Sequence, residues 1–505
     1  MTSKTETTPM MQQWHDCKKS CEEALLLFQM GDFYEAFYND AVIVAKELEL
    51  TLTKRQEIPM AGVPLHTLDS YIDRLVSKGY RVAIAEQMED PREAKGLVRR
   101  AVVRIVTPGT ILSANLVPEK TNNFFVALTQ VGALYGLAFI DLSTGEFQAA
   151  EFEEVKELFA EIHRLKPAEI YTSKSFKEKN GHSLQELKHS FSFLLTTEEN
   201  WRFDHQLSYE TLLSQFKIQS LDGFGLKGKV SAINAAGGLV SYLKDTLLHS
   251  LDHLSEIGTY STAQFMTLDP MTQANLELTE ARGGGRKGSL LDVLDHTCTA
   301  MGGRLLRQLL KQPLLDCNQI RSRQDAVDAL LQESSLRRKI GEHLSLVRDV
   351  ERIIAKISLN SASPRDLQAL SSSFRSLPFL RQETTLAPSA LLKELGEGLD
   401  PLPEMTQLID AAIADEPPLR LSDGGAIRPG FHEELDELRK IRSDSKAWIS
   451  CYQDSLRQQY GIKTLKVGYN RMFGYYIEVS KGQADRMPDS FQRRQTLVNA
   501  ERYIS

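Results

Sequence analysis

The sequence predicts a multidomain chain, mixed α/β in its first half and all-α beyond it, closing on a long helical arm tipped by a small β-sheet. Three observations lead there. Short apolar runs alternate with helically spaced ones from residue 9 to about 250. From about 265, Pro and Gly thin out and Leu recurs at spacings of three and four. Finally, Leu465, Val467 and Tyr469 alternate with Lys466, Gly468 and Asn470, a half-exposed strand that follows one long helical pattern. Boundaries are expected at 1–112, 121–250, 260–425 and 426–505, since 505 residues are too many for one core.

Each element has a local cause. Thr8-Pro9 predicts an N-cap with proline in the first helical position. Ala24 to Phe28 is an uninterrupted apolar run, the mark of a buried strand. Leu68, Tyr71, Ile72, Leu75 and Val76 keep helical spacing up to Gly79, a C-terminal cap. Arg81 to Glu86 and Val102 to Val106 read as further strands. Thr107 to Lys120 is polar and turn-rich, so a linker is expected there. Phe124 to Leu128 and Leu134 to Leu142 open a second α/β domain, followed by the turn Ser143-Thr144-Gly145, another strand, a helix over Val155 to Leu165 and a strand at Ile170-Tyr171. In the helical half, Ser363-Pro364-Arg365-Asp366 supplies a cap, a proline and an acidic first turn, while Pro313 and Pro417-Pro418 break helices. Beyond Gly430, Phe431, Leu435, Leu438, Trp448, Tyr452 and Leu456 form an apolar stripe on one long helix. Arg471 to Gly474 is expected to turn the chain into a strand over Tyr475 to Ser480.

With 42% apolar and 25% charged residues, the composition is that of an ordinary globular chain. No run approaches the ~20 apolar residues of a membrane span, and Met1 to Thr8 lacks a signal-peptide core. Five scattered cysteines suggest reduced thiols in a cytoplasmic protein rather than a disulfide framework. The net charge of −7 argues mildly against nucleic acid, but phosphate binding needs only local positive charge. Two basic clusters offer it: Arg92, Lys95, Arg99, Arg100 and Arg104, and Arg486, Arg493, Arg494 and Arg502. Either also fits a solvated face.

The sharpest chemistry sits at Phe33 and Glu35. They follow an apolar strand and the turn-favouring Gly31-Asp32, and on extended backbone two residues apart they point the same way. An exposed aromatic wedge beside a carboxylate makes sense near DNA if the wedge unstacks a base step and the carboxylate meets the displaced base edge. Such a pair would sense deformability rather than sequence. A lone Phe-x-Glu is more often a core aromatic beside a solvated edge residue. Other signals are weaker. His15, Cys17 and Cys21 share a helical face but lack a fourth metal ligand. Asp141 could begin a two-metal nuclease site, though a turn role is simpler. A protein-binding helical scaffold is a further reading. Gly283 to Ser289 is glycine-rich without the Gly-Lys-Ser/Thr ending of a P-loop, so no nucleotide site or catalytic group is expected in these residues.

Ordered motifs along the whole chain resemble the bacterial MutS family of DNA mismatch-repair sensors. They include Gly31 to Phe37, Thr51 to Arg55, Ile58 to His66, Arg104 to Thr110, Gly288-Ser289-Leu290-Leu291 with Met301-Gly302-Gly303-Arg304, Pro364 to Leu367, Leu465 to Asn470 and Asn499 to Tyr503. The resemblance implies that Phe33 stacks on a mispaired base of duplex DNA while Glu35 hydrogen-bonds it. It implies backbone contacts from Lys54, Arg55, Arg104, Arg493, Arg494 and Asn499, with Val498 standing where relatives usually carry lysine. By the same resemblance the four segments become a mismatch reader, an RNase H-like connector, a helical core and lever, and a clamp. A homodimer and a MutL-type partner, met through the connector, are implied in the bacterial cytoplasm around the nucleoid. The family also carries a C-terminal ABC-type ATPase, using ATP and Mg²⁺, which these residues do not include; this chain is therefore expected to bind DNA without being an enzyme itself.

Overall fold

A computed structural model describes residues 8–504, apart from 56, 90–96, 112–115, 248–250, 471–473, 489 and 498. The chain divides into two compact units, residues 1–407 and 408–505.

The first unit opens with a six-stranded sheet: β1 (Leu25–Met30), β2 (Phe33–Phe37), β3 (Thr53–Arg55), β4 (Ile58–Pro64), β5 (Val82–Gln87) and β6 (Arg100–Val106), in the order β3-β4-β2-β1-β5-β6. Only β1 and β5 run parallel, joined by a crossover that contains the helices Tyr38–Leu48 and Leu68–Ser77. The continuous apolar run of β1 follows from its central place. Leu25 and Leu27 enter one core with Tyr34 and Ala36, whereas Leu26 and Phe28 enter another with Met11, Trp14 and Phe37. Thr8 caps the helix Pro9–Lys19, accepting from the Met11 N–H at 3.4 Å, with proline in the first turn.

The expected linker after β6 is not a solvated tether. Thr107 and Thr110 are buried and cap one another, and the buried Glu169 accepts from the Thr107 hydroxyl and from the Gly109 N–H at 3.1 Å. The polarity that suggested a linker thus answers a buried carboxylate on the next sheet. That sheet contains β7 (Phe125–Val131), β8 (Leu134–Asp141), β9 (Glu146–Phe152), β10 (Glu169–Ser173), β11 (Leu194–Glu198) and β12 (Gly258–Thr259), in the order β11-β10-β7-β8-β9-β12. β7, β8 and β9 form an antiparallel meander, and the other three join parallel to their neighbours.

The helix Val230–Leu247 crosses this sheet so closely that a Cβ at Gly136 on β8 would stand 2.1 Å from the Ser231 carbonyl oxygen. Backbone cannot yield as a flexible side chain does. Gly136→Ala is therefore expected to cost about 1–3 kcal/mol through overpacking. Urea unfolding would register the loss, and parent-like stability would show that the approach is not tight.

From Pro270 to Ala412 the chain is helical. Ser363 caps Pro364–Thr385 in a capping box with Asp366, and Ala300–Lys311 stops just before Pro313. Gly283 to Ser289 is a loop with left-handed backbone at Gly284, Gly285 and Gly288.

In the second unit, Glu433–Tyr460 is a single helix of 28 residues, about 42 Å long at the usual rise. It meets a four-stranded antiparallel sheet of β13 (Lys466–Asn470), β14 (Gly474–Ser480), β15 (Gln492–Thr496) and β16 (Ala500–Ile504), ordered β13-β14-β16-β15. Leu456, Ile462, Leu465, Ile477, Val479 and Tyr503 make their common core. The apolar stripe is buried at Leu456 and half-buried at Tyr452 and Leu435. Phe431, Leu438 and Trp448 lie exposed, and Trp448 stacks on Tyr452 with centroids 5.1 Å apart. Most of the turn expected at Arg471 to Gly474 lies outside the described residues.

Candidate nucleic-acid interface

β1 and β2 form a hairpin around Gly31, whose φ of +62° needs no side chain to accommodate. The two-residue period of β2 then sends Tyr34 and Ala36 inward and Phe33 and Glu35 to the other face. Phe33 is 48% exposed, so it is not a core aromatic. Opposite the pair, β4 presents Gly62, where an added Cβ would lie 3.8 Å from both Phe33 and the Glu35 side chain. The glycine leaves the floor between them open, and the two side chains stand together over it.

Glu35 is well covered, with only 15% of its side chain exposed, and Arg55 Nη1 donates to its Oε2 at 3.1 Å. Burial pushes the Glu35 carboxyl above its ordinary value, opposed by the Arg55 guanidinium and, more weakly, by Arg100. Lys54 stays exposed and pairs with Glu57 at 3.1 Å. Arg104 is not brought to this pair. It sits on β6 at the sheet's opposite side, with β1 and β5 between, and bonds Asp69 at 3.2 Å.

In the second unit β15 is an edge strand with every residue exposed, interrupted by an irregularity between Arg493 and Gln495. Arg494 occupies that irregularity, exposed and without a hydrogen-bond or ion-pair partner among the described residues. Arg493 pairs with Glu501 at 3.2 Å, and Asn499 is exposed. The other two arginines of the cluster hold the fold: Arg486 bonds the Gly461 carbonyl, and Arg502 bonds Glu478 and lies over Tyr476.

Three family models match in order: MutS domain I over residues 8–115, MutS domain II over 123–255 and MutS domain III over 271–499. The chain belongs to the MutS family. It is 53% identical over 502 residues to the DNA mismatch repair protein MutS of Protochlamydia amoebophila, covering 99% of this chain and 58% of that protein. The MutS of Halothermothrix orenii is 44% identical, with 99% of this chain and 56% of that protein covered. For Chlamydia muridarum the figures are 44%, 99% and 61%. The chain thus spans roughly three-fifths of the length of these curated relatives. Its α/β sheets and helical second half agree with MutS domains I to III. Among the described residues no helix is long and apolar enough to cross a membrane.

Within MutS domain I, Arg100 is the residue that sequence reasoning left in a surface cluster. Its Nε donates to the Gln29 carbonyl at 2.7 Å and its guanidinium covers Phe28, the register partner of Glu35. A second cation therefore stands near the Glu35 carboxyl. Arg92, Lys95 and Val498 lie outside the described residues.

The residues of the rival metal readings have other partners. Asp141 accepts from Asn122 Nδ2 and the Asn123 N–H on one oxygen, and from the Ser143 N–H and hydroxyl on the other. That is a turn residue with its acceptors filled. Glu146 stands opposite it across β8 and β9, but among the described residues no three carboxylate, His or Cys groups gather as metal ligands. Cys17 and Cys21 are buried, burial pushing the Cys21 thiol up to about 11, and His15 turns to the Tyr38 hydroxyl.

Proposed function

We propose that this chain binds mismatched or looped-out base pairs in duplex DNA and thereby starts mismatch repair, as the printed names of its relatives suggest. The observation that carries the reading is the exposed Phe33 beside the largely buried Glu35 over the open floor at Gly62. Inserting an aromatic ring between base pairs costs a few kcal/mol of stacking, and less where pairing is already faulty. Phe33 stacks on the mispaired base, and Glu35 hydrogen-bonds its edge. In the free protein Arg55 neutralises Glu35. Turning Arg55 toward a phosphate would take that cation away, raise the Glu35 carboxyl further and favour the protonated form that can donate to a base acceptor.

The division of labour follows the segments: residues 1–112 read the mismatch, 121–250 form an RNase H-like connector, 260–425 a helical core and lever, and 426–505 a clamp. Lys54, Arg55 and Arg104 hold the DNA backbone beside the reader, Arg104 from the far strand, while Arg493, Arg494 and Asn499 hold it from the clamp. Exposed, and unpaired among the described residues, Arg494 is the best placed of these for phosphate. A second copy of the chain, a MutL-type partner at the connector, and ATP-dependent switching belong to the intact protein in the bacterial cytoplasm.

The test is Phe33→Ala in the intact protein, with fluorescence anisotropy on a G·T heteroduplex and its matched homoduplex. Loss of one aromatic–base stack, about 1–3 kcal/mol, is expected to bring heteroduplex affinity down to that for matched DNA, leaving the latter unchanged. A preference that survives the substitution would remove the wedge assignment.

A further inference from the structure

A cavity of about 140 Å³ lies within residues 1–407, where the second sheet meets the helix Ala300–Lys311. It is larger than a single water needs. Its wall carries five cations, Arg164, Lys166, Arg304, Arg307 and Lys311, against the carboxyls of Glu146 and Glu280. Three of the cations are already engaged by carboxylates. Arg164 bonds both Glu161 oxygens at 2.8 and 2.6 Å, Lys166 bonds Glu280 at 2.9 Å, and Arg304 is held by Asp349 and Glu351 at 2.7 and 2.6 Å.

Two are left over. Arg307 makes no hydrogen bond or ion pair with any described residue, and its Nε is buried without a partner. Lys311 Nζ donates to the Arg164 carbonyl at 2.8 Å and pairs with no carboxylate among the described residues. Buried charges are ordinarily paired or bind an ion, because desolvation without compensation is costly. Glu280 attracts both charges, and Asp295 attracts Arg307, but desolvation outweighs that attraction at each, and an anion filling the void would relieve it.

We propose that this cavity is an oxyanion site that takes a phosphate group between Arg307 and Lys311. A guanidinium offers a planar fork for two oxygens and an ammonium a mobile point charge, the pair of donors that phosphate recognition favours. Burial and the neighbouring Lys166, Arg164 and Arg307 pull the Lys311 ammonium down to about 7, a strain that a bound anion relieves. Glu146 is the acidic group on the wall. Burial and Asp141 push its carboxyl up to about 7, so it can offer a proton to a phosphate oxygen instead of repelling it. Glu146 comes from the sheet matched by MutS domain II, and Arg307 and Lys311 from the helix matched by domain III, so a bound phosphate would tie the two together. The group could belong to free orthophosphate or to a nucleotide.

Equilibrium dialysis of the intact chain against labelled orthophosphate, and separately against a nucleoside monophosphate, at constant ionic strength in chloride, tests this. Saturable binding of one or both is expected, and the ligand that responds names the source. Arg307→Gln and Lys311→Met should each weaken it at least about tenfold, the loss of one charge-assisted contact. The ligand should raise the midpoint of thermal unfolding by roughly 1–2 °C at ten times its dissociation constant. In phosphate-free buffer Arg307→Gln should unfold at the parent temperature or above, because it removes a buried charge whose desolvation outweighs its attraction to Glu280 and Asp295. No saturable binding of either ligand would overturn the proposal. Binding unchanged in both variants would do the same, as would destabilisation of Arg307→Gln without phosphate, which marks a structural guanidinium.

Discussion

Arg304→Ala is expected to lower the stability of the first unit by about 3–5 kcal/mol, the usual result of removing one partner of a buried charge network. Arg304 is 5% exposed, and both terminal nitrogens of its guanidinium are engaged. Nη1 donates to Asp349 Oδ2 at 2.8 Å and to the Glu119 carbonyl at 2.7 Å, while Nη2 donates to Asp349 Oδ1 at 2.7 Å and to Glu351 at 2.6 Å. Burial works against the charge, but these acceptors outweigh it and hold the guanidinium above its ordinary value. Without it, Asp349 at the start of the helix Val350–Ser358 keeps only the more distant Arg352, whose Nε stands 3.7 Å away, Glu351 loses its guanidinium partner, and the Glu119 carbonyl loses its donor. Arg304→Lys keeps the charge but not the fork, so it should recover only part of the loss. Urea titration would show Ala lowest, Lys intermediate and the parent highest. An Ala variant with the parent midpoint would mean the network contributes nothing.

This network also marks how far the sequence could be read. Met301-Gly302-Gly303-Arg304 was visible as a motif, but its meaning needed residues far along the chain. A Cβ at Gly303 would strike the Lys120 side chain at 2.5 Å, and Arg304 reaches Glu119 and Asp349. The strands and helices were legible because periodicity and caps are local: the run at Leu25 to Phe28, the cap at Thr8 and the capping box at Ser363 all formed. Alternation along β2 likewise put Phe33 and Glu35 on one face. What could not be read was whatever depended on register between distant strands. Gly62 beneath the pair, Arg55 on Glu35 and Arg100 over Phe28 all follow from the pairings that join β3, β4, β2, β1, β5 and β6 in that order. The stretch from Thr107 misled because polar residues look the same whether they face water or the buried Glu169. Along Glu433–Tyr460 the spacing showed an apolar stripe but could not show that Trp448, 64% exposed, lies uncovered.

Glu146→Gln is expected to stabilise the protein at pH 8 by up to roughly 3 kcal/mol and to change little at pH 5. Its carboxyl is raised from 4.5 to about 7, first by burial and then by Asp141 opposite it, with Glu351 adding to the effect and Arg164 and Arg304 opposing it. The folded state therefore keeps a proton that the unfolded chain gives up between those two values. Stability from this group is complete below the unfolded value and falls away as pH rises through about 7. An amide cannot ionise, so the variant escapes the loss while still accepting from Asn122, whose Nδ2 stands 3.5 Å from Glu146 Oε2. Unfolding midpoints at pH 5, 6.5 and 8 should diverge progressively, the variant gaining on the parent as pH rises. The measurement belongs in phosphate-free buffer, since an anion beside Arg307 and Lys311 would favour the protonated carboxyl and shift the window upward. Equal midpoints at every pH would mean that the cations around the cavity already compensate the Glu146 charge, leaving no net cost for the amide to remove.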